Sequence, residues 1–148
     1  MTESPASQIG TERAAPVEVR RLLYTDLPQV IAIERRVFPT PWSLAMFVLE
    51  LSKPTGICLA AMCEETLLGY LICSRYDTVW HLMNLAIRPD RQRMGIATAL
   101  LAELYERVRA ILEEEDEIAA VRETYPLVSK ALDSGDLEHS HRRAHKPP

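Results

Sequence analysis

Arg88-Pro89-Asp90-Arg91-Gln92-Arg93-Met94-Gly95-Ile96-Ala97 is the stretch that settles the fold, because it leads out of an apolar strand pattern and directly into a helical one. Pro89 and Asp90 close the run from Thr78 to Ile87. From Gly95 onward Ile96, Ala99, Leu100, Leu104, Val108 and Ile111 recur at helical spacing. A helix entered in this way has first-turn amides without intrahelical partners, aimed past the end of the strand, and such a place favours an anion. Gly95 allows the backbone to approach a phosphate closely, small Ala97 keeps the surface flat, and Arg91 and Arg93 add charge-assisted hydrogen bonds. Spacing alone also permits a plain solvated turn eased by Gly95. The GK[ST] ending of a Walker loop and the GxGxxG of dinucleotide folds are both absent, which argues against nucleotide hydrolysis.

Toward the N-terminus the pattern alternates between strand and helix. Met1 to Pro16 mixes Ser, Thr, Glu, Ala and Pro without periodicity and reads as a loose arm, while Val17 to Leu22 predicts a short first strand. Thr25 is placed to cap a helix that tolerates Asp26 and Pro28 in its first turn and carries an apolar face of Leu27, Val30, Ile31, Ile33, Val37 and Phe38. That helix stops before Pro39. Phe38-Pro39-Thr40-Pro41-Trp42-Ser43 is a stiff elbow, since each proline fixes its own φ and turns the preceding residue out of the helical region. Ser43 then caps a short helix with Leu44, Phe47, Val48 and Leu51 on one side, ended by Ser52 to Gly56.

Ile57 to Cys63 and Leu67 to Arg75, separated by Glu64-Glu65-Thr66, predict a hairpin of two buried strands. In the next strand, strict alternation puts His81, Met83, Leu85 and Ile87 on one face and Trp80, Leu82, Asn84 and Ala86 on the other, both faces largely covered. The order strand, helix, helix, strand, strand, strand, helix indicates a helix-flanked sheet of the α+β or α/β class.

Composition sets the outer bounds. A chain of 148 residues, 47% hydrophobic and 26% charged, suffices for one core and is short for two domains. A net charge of -4 argues against a nucleic-acid footprint and suits a small-molecule substrate or a basic protein partner. Cys58, Cys63 and Cys73 lie in apolar runs without metal-ligand spacing, and any disulfide scheme leaves one over, which fits a reducing cytoplasm. No metal is expected. No apolar stretch approaches the roughly 20 residues of a membrane span, and the N-terminus lacks the hydrophobic block of a secretory signal, so the expectation is a soluble protein with no membrane partner.

Gln92-Arg93-Met94-Gly95-Ile96-Ala97 resembles the acetyl-CoA loop of the GNAT superfamily: Arg or Gln, two variable residues, Gly, one variable residue, then Gly or Ala. It sits where that family has it, after the fourth strand and before the third helix, and Met83 to Asp90 looks like the usual run-in. The resemblance spans about Val17 to Val108. It implies a GNAT-like α/β (α+β) fold, a central mixed sheet flanked by helices, with an acetyl-CoA-binding core over residues 17–110 between an arm (1–16) and an atypical charged tail (111–148). It further implies that acetyl-CoA is the co-substrate, that backbone groups of Leu85, Ala86 and Ile87 receive its acetyl and pantetheine portion, and that Arg93, Met94, Gly95, Ile96, Ala97 and Thr98 cradle the pyrophosphate.

A narrower resemblance is to the RimI-like branch, the ribosomal-protein-alanine N-acetyltransferases, whose Phe-Pro-Trp-Ser type elbow matches Phe38 to Ser43. It implies that Phe38 and Trp42 line a slot for a protein N-terminus, with alanine on a small-subunit ribosomal protein as acceptor. The branch also carries a Glu in a Leu-Glu-Val-Arg strand and a Tyr in a later Leu-Tyr segment for proton transfer. Neither motif is present, so no catalytic residue is assigned and the usual C-terminal strands are expected to be missing. Ala119-Ala120-Val121-Arg122 is a weak echo with alanine in the carboxylate's place. Tyr125 reads as a packing or tail tyrosine, Glu113 to Glu117 as a solvated helix end, His139 to Lys146 as a basic tail, and His81 as a packed strand histidine. An acyl-CoA- or partner-binding remnant is the competing reading, and an open sheet edge is its physical corollary.

Overall fold

The computed structural model describes residues 16–124. The arm over residues 1–15, Tyr125 and the histidine-rich end fall outside the described residues. Strand β1 (Glu18–Arg21) is followed by helices α1 (Leu27–Val37) and α2 (Leu44–Ser52), then by strands β2 (Ile57–Cys63), β3 (Thr66–Tyr76) and β4 (Val79–Ile87), and by helix α3 (Ile96–Thr124). The sheet order is β1-β2-β3-β4, antiparallel at every junction. Among the described residues the sheet is thus antiparallel throughout rather than mixed. Among the described residues no strand follows α3.

The chain turns where its backbone chemistry directs it. Glu64 and Asp77 adopt left-handed φ values of 53° and 56° in the tight connections on either side of β3. Gln29 on α1 closes the first of these turns from outside, its side-chain oxygen accepting from the Leu67 amide at 2.9 Å. Ser43 caps α2 as the sequence predicts, its Oγ accepting from the Met46 amide at 3.3 Å.

Thr25 does not cap α1. It lies within a 3₁₀ turn, Tyr24–Asp26, and Asp26 precedes the helix without a side-chain capping bond. The Asp26 carboxylate instead reaches backward, accepting from the Leu23 amide at 2.7 Å and from Arg20 at 2.8 and 2.9 Å. A bidentate guanidinium offers the carboxylate more than one further amide would, and that preference draws Asp26 toward β1.

One sheet face forms the larger core. Leu27, Val30 and Ile33 of α1 and Phe47 of α2 bury themselves against Ala60, Met62, Tyr70, Ile72 and Ala86, with Phe38 and Trp42 half-buried at its margin. The rings of Trp42, Phe47 and Tyr70 follow one another at centroid distances of 5.3 and 5.7 Å. The other face carries Leu59, Leu71 and Cys73, all buried, and Ile96 and Leu100 of α3 are buried as well. Leu44 and Val48, expected on the apolar side of α2, are exposed.

Strict alternation fails in β4. Ile72 pairs with Asn84 and Cys73 with Leu82, so Met83 is an extra residue bulged out of the ladder. Because cross-strand partners share a face, His81 joins Asn84 and Ala86 beside the α1–α2 core, while Trp80 and Leu82 join Leu85 and Ile87 on the other face. Nor are both faces covered along the whole strand: His81, Leu82 and Met83 are exposed, and burial begins at Asn84.

By density of contacts the chain divides at Leu104/Tyr105, within α3. In the second unit the helix continues well past Ile111, where the apolar pattern ends, to Thr124. Arg109 pairs there with Glu106 and Glu113, each at 2.8 Å, three and four residues away along the helix.

Candidate functional site

The candidate site is the outer edge of β4 together with the loop that carries the chain into α3. The Arg88 amide donates to the Leu68 carbonyl at 2.8 Å, which fixes the phase of the antiparallel ladder. Alternation then turns the main chain of Ala86 inward to β3, and that of Leu85 and Ile87 outward, to an edge that no described strand covers. The outward Ile87 carbonyl accepts from the Gln92 side chain at 3.2 Å, which folds the loop back against the strand end.

Two left-handed residues shape the loop: Arg93 at φ 63° and Gly95 at φ 83°. For arginine this conformation costs about 1–2 kcal/mol, whereas glycine adopts it freely. A Cβ at Gly95 would meet nothing within 4 Å, so the glycine opens space in front of the helix. The first bond of α3 runs from the Ala99 amide to the Gly95 carbonyl at 3.0 Å. The amides of Ile96, Ala97 and Thr98 therefore lack intrahelical acceptors, and Gly95 has no side chain with which to cap them. Met94 is 64% exposed at the tip. Three amides without intrahelical partners, a helix N-terminus and an arginine beside the open space at Gly95 fit the two charges of a pyrophosphate.

The neighbouring arginines are partly engaged. Arg88 makes a bidentate contact with Asp90 at 3.1 Å, and Arg91 lies 4.0 Å from the same carboxylate. A separate cleft of about 160 Å³, lined by Gln29, Ala32, Ile33, Arg36, Leu67 and Arg88, touches this region only at Arg88 and contains none of residues 92–98.

The elbow is joined to β4 by a residue that pattern reading passed over. Glu34, on α1, is buried, with one carboxylate oxygen accepting from the Trp42 amide at 3.0 Å and the other from Asn84 Nδ2 at 2.9 Å and from the Tyr70 hydroxyl. Burial and this bond to Glu34 push the Tyr70 phenol far above its ordinary range. The signal was present: Glu34 lies four residues after Val30 and three before Val37, within the apolar stripe, where an acid needs partners. Through this carboxylate the Trp42 amide is tied to the strand that carries Leu85.

His81 is exposed rather than packed, in an edge contact with Tyr76 at 5.4 Å between centroids. Ala119 to Arg122, the echo of a catalytic strand, are helical. Among the described residues no group of three His, Cys, Asp or Glu could hold a metal ion, and no helix is long and apolar enough to cross a membrane.

The pattern of the Acetyltransferase (GNAT) family matches residues 27–124. An uncharacterized N-acetyltransferase of Methanocaldococcus jannaschii is 29% identical over 86 residues, 58% of this chain and 55% of that one. Among solved structures, the ribosomal-protein-S18-alanine N-acetyltransferase of Escherichia coli superposes with a TM-score of 0.58 at 27% identity, covering 62% of this chain and 59% of its own. The PaiA N-acetyltransferase of Thermoplasma acidophilum, solved with coenzyme A, superposes at 0.54 with 20% identity, over 64% and 73%. The chain thus spans somewhat more than half the length of the first two. With the sheet, the strand-to-helix loop and the family pattern in agreement, the chain belongs to the GNAT acetyltransferase family.

Proposed function

We propose that this chain binds acetyl-CoA along the outer edge of β4 and the start of α3, and that it moves acetyl to a protein N-terminal amine in the manner of the RimI-like branch. The observation that carries this reading is the uncapped helix start, opened by left-handed Gly95 at the end of a strand edge that no described strand covers. The acceptor it favours is an N-terminal alanine on a small-subunit ribosomal protein, the substrate class named for the Escherichia coli structure. Acetyl-CoA, when bound, supplies an acetyl group activated as a thioester. Arg93, Met94, Gly95, Ile96, Ala97 and Thr98 hold its pyrophosphate. Leu85, Ala86 and Ile87 form the edge along which the pantetheine lies, with Leu85 and Ile87 providing outward main-chain groups. Phe38 and Trp42, held at the elbow, border the incoming N-terminus.

An α-amine has an ordinary pKa near 8 and must lose its proton to attack, so a proton acceptor has to be supplied near that edge. One observation favours a second reading, an acyl-CoA- or partner-binding module without turnover. The residues that echo the family's catalytic strand lie in α3, with alanine where the acid belongs. In either reading residues 17–110 act as the cofactor-binding core, 1–16 as an arm and 111–148 as a tail, and cysteines set in apolar strands suit a cytoplasmic setting.

Calorimetric titration of acetyl-CoA into the wild type and Gly95→Glu tests the shared part. The variant places a strained residue and a negative charge in the hollow and is expected to bind at least about tenfold more weakly, a step of 1.4 kcal/mol, with its melting temperature recorded alongside. Equal, negligible binding by both proteins would sink the cofactor assignment. Acetylation of an alanine-starting peptide above a buffer control separates enzyme from binding module.

A further inference from the structure

Glu34 is 1% exposed, and no arginine or lysine among the described residues forms an ion pair with it. Neutral donors alone hold its carboxylate: the Trp42 amide, the Asn84 side-chain amide and the Tyr70 hydroxyl. An acid in the core is a costly choice where an apolar side chain of similar size would pack at least as well. What the acid provides is connection: β3 and β4 already pair in the sheet, and the carboxylate joins to both of them the elbow, which no described ladder reaches. Asn84 immediately precedes Leu85, and it is the first buried residue after the Met83 bulge. The elbow amide of Trp42 sits at the other end of the same carboxylate, on its second oxygen.

We propose that Glu34 is a positioning residue that fixes the elbow to β4, keeping the acceptor slot at Phe38 and Trp42 at a set spacing from the acetyl-bearing edge at Leu85. What that spacing serves rests on the acetyl-transfer reading; the tie itself does not. Without the carboxylate the elbow loses the polar anchor that ties it to the strand among the described residues, while the cradle at residues 93–98 keeps its own contacts. Acceptor binding should therefore suffer and cofactor binding should not.

Glu34→Gln in the full chain tests this directly. In one orientation the new amide turns a proton on the Trp42 amide. In the other it keeps that bond with a neutral acceptor in place of a charged one and turns a proton toward Asn84, which meets it by flipping its own amide. The double variant Glu34→Gln with Asn84→Asp exchanges donor for acceptor across the pair and restores complementarity. The expected result for Glu34→Gln is Trp42 amide hydrogen exchange faster by about tenfold or more, recovered in the double variant, as loss of a hydrogen bond to a charged group predicts. In turnover, KM for an alanine-starting peptide should rise by about tenfold while acetyl-CoA affinity stays within about twofold, the signature of misplacement at one end of the site only. Glu34→Leu covers the case in which glutamine does not fold: it keeps a similar volume, costs stability by leaving three donors without their acceptor, and removes the Trp42 bond outright. Unchanged Trp42 exchange in Glu34→Leu, after allowance for any change in global stability, overturns the proposal. So does an acetyl-CoA affinity that falls in parallel with peptide binding. A Trp42 response in a wild type that never acetylates peptide would support the tie and sink the acetyl-transfer reading.

Discussion

Gly69 and Gly95 are glycines for opposite physical reasons. Gly95 has a left-handed backbone and open space before it; Gly69 has no space at all. A Cβ at Gly69 would lie 2.8 Å from the Ala86 carbonyl oxygen and 2.5 Å from Ile87 Cδ1. The side-chain contact can yield, but the carbonyl belongs to the ladder that holds the edge strand. Gly69→Ala is therefore expected to cost about 1–3 kcal/mol, read as a lower urea midpoint with an unchanged slope. The two also differ in how far they could be read in advance. Gly95 announces itself through its neighbours, because a turn residue between a strand and a helix is a local pattern. Gly69 sits mid-strand, and its reason is on β4, eighteen residues away in sequence. Glu34 lies between these cases: its place in an apolar stripe was visible, but the donors that make the place tolerable come from three distant segments.

At the scale of elements, β1 and α1 are latched by Asp26. The Arg20 hydrogen bond is the largest cause holding the Asp26 carboxyl below its ordinary value of 3.8; the Leu23 amide assists, and burial opposes both. A depressed acid contributes stability that is present above the ordinary value and disappears as pH falls through the lower native one. Asp26→Asn should cost about 1–3 kcal/mol near neutral pH, and the gap between variant and wild type should close as urea titrations move below pH 3.8, into acid. The elements themselves were largely legible: both helices before the hairpin, the hairpin and the strand-to-helix junction follow from period and punctuation. Two details were not. The 3₁₀ turn that displaced the Thr25 cap depends on Arg20 reaching across from β1, and the bulge in β4 depends on register with β3; neither is a property of the local sequence.

For the molecule as a whole, the alkaline limb of stability follows from its buried acids of high pKa. Burial, the largest cause, pushes the Cys58 thiol up to about 11, raises Cys73 also, and together with Glu34 raises Tyr70. The unfolded chain sheds the Cys58 proton near 9.0 while the native chain keeps it to about 11. Stability is thus fully present below the first value and is lost as pH rises between the two. The urea midpoint should fall from pH 9 to 11, and Cys58→Ala should make that fall shallower, whatever it costs at pH 8. The length of α3 lay beyond the reach of the apolar pattern, because past Ile111 the helix continues on exposed, largely charged residues rather than on a buried stripe. One consequence of the Met83 bulge concerns how relatives should be aligned. The strand carries its two faces in one phase up to Leu82 and in the opposite phase from Asn84. For a relative that lacks the extra residue, leaving out the gap at Met83 therefore exchanges the two faces over half the strand, and decides whether the relative's residue is compared with the Asn84 that Glu34 holds or with its neighbour on the other face.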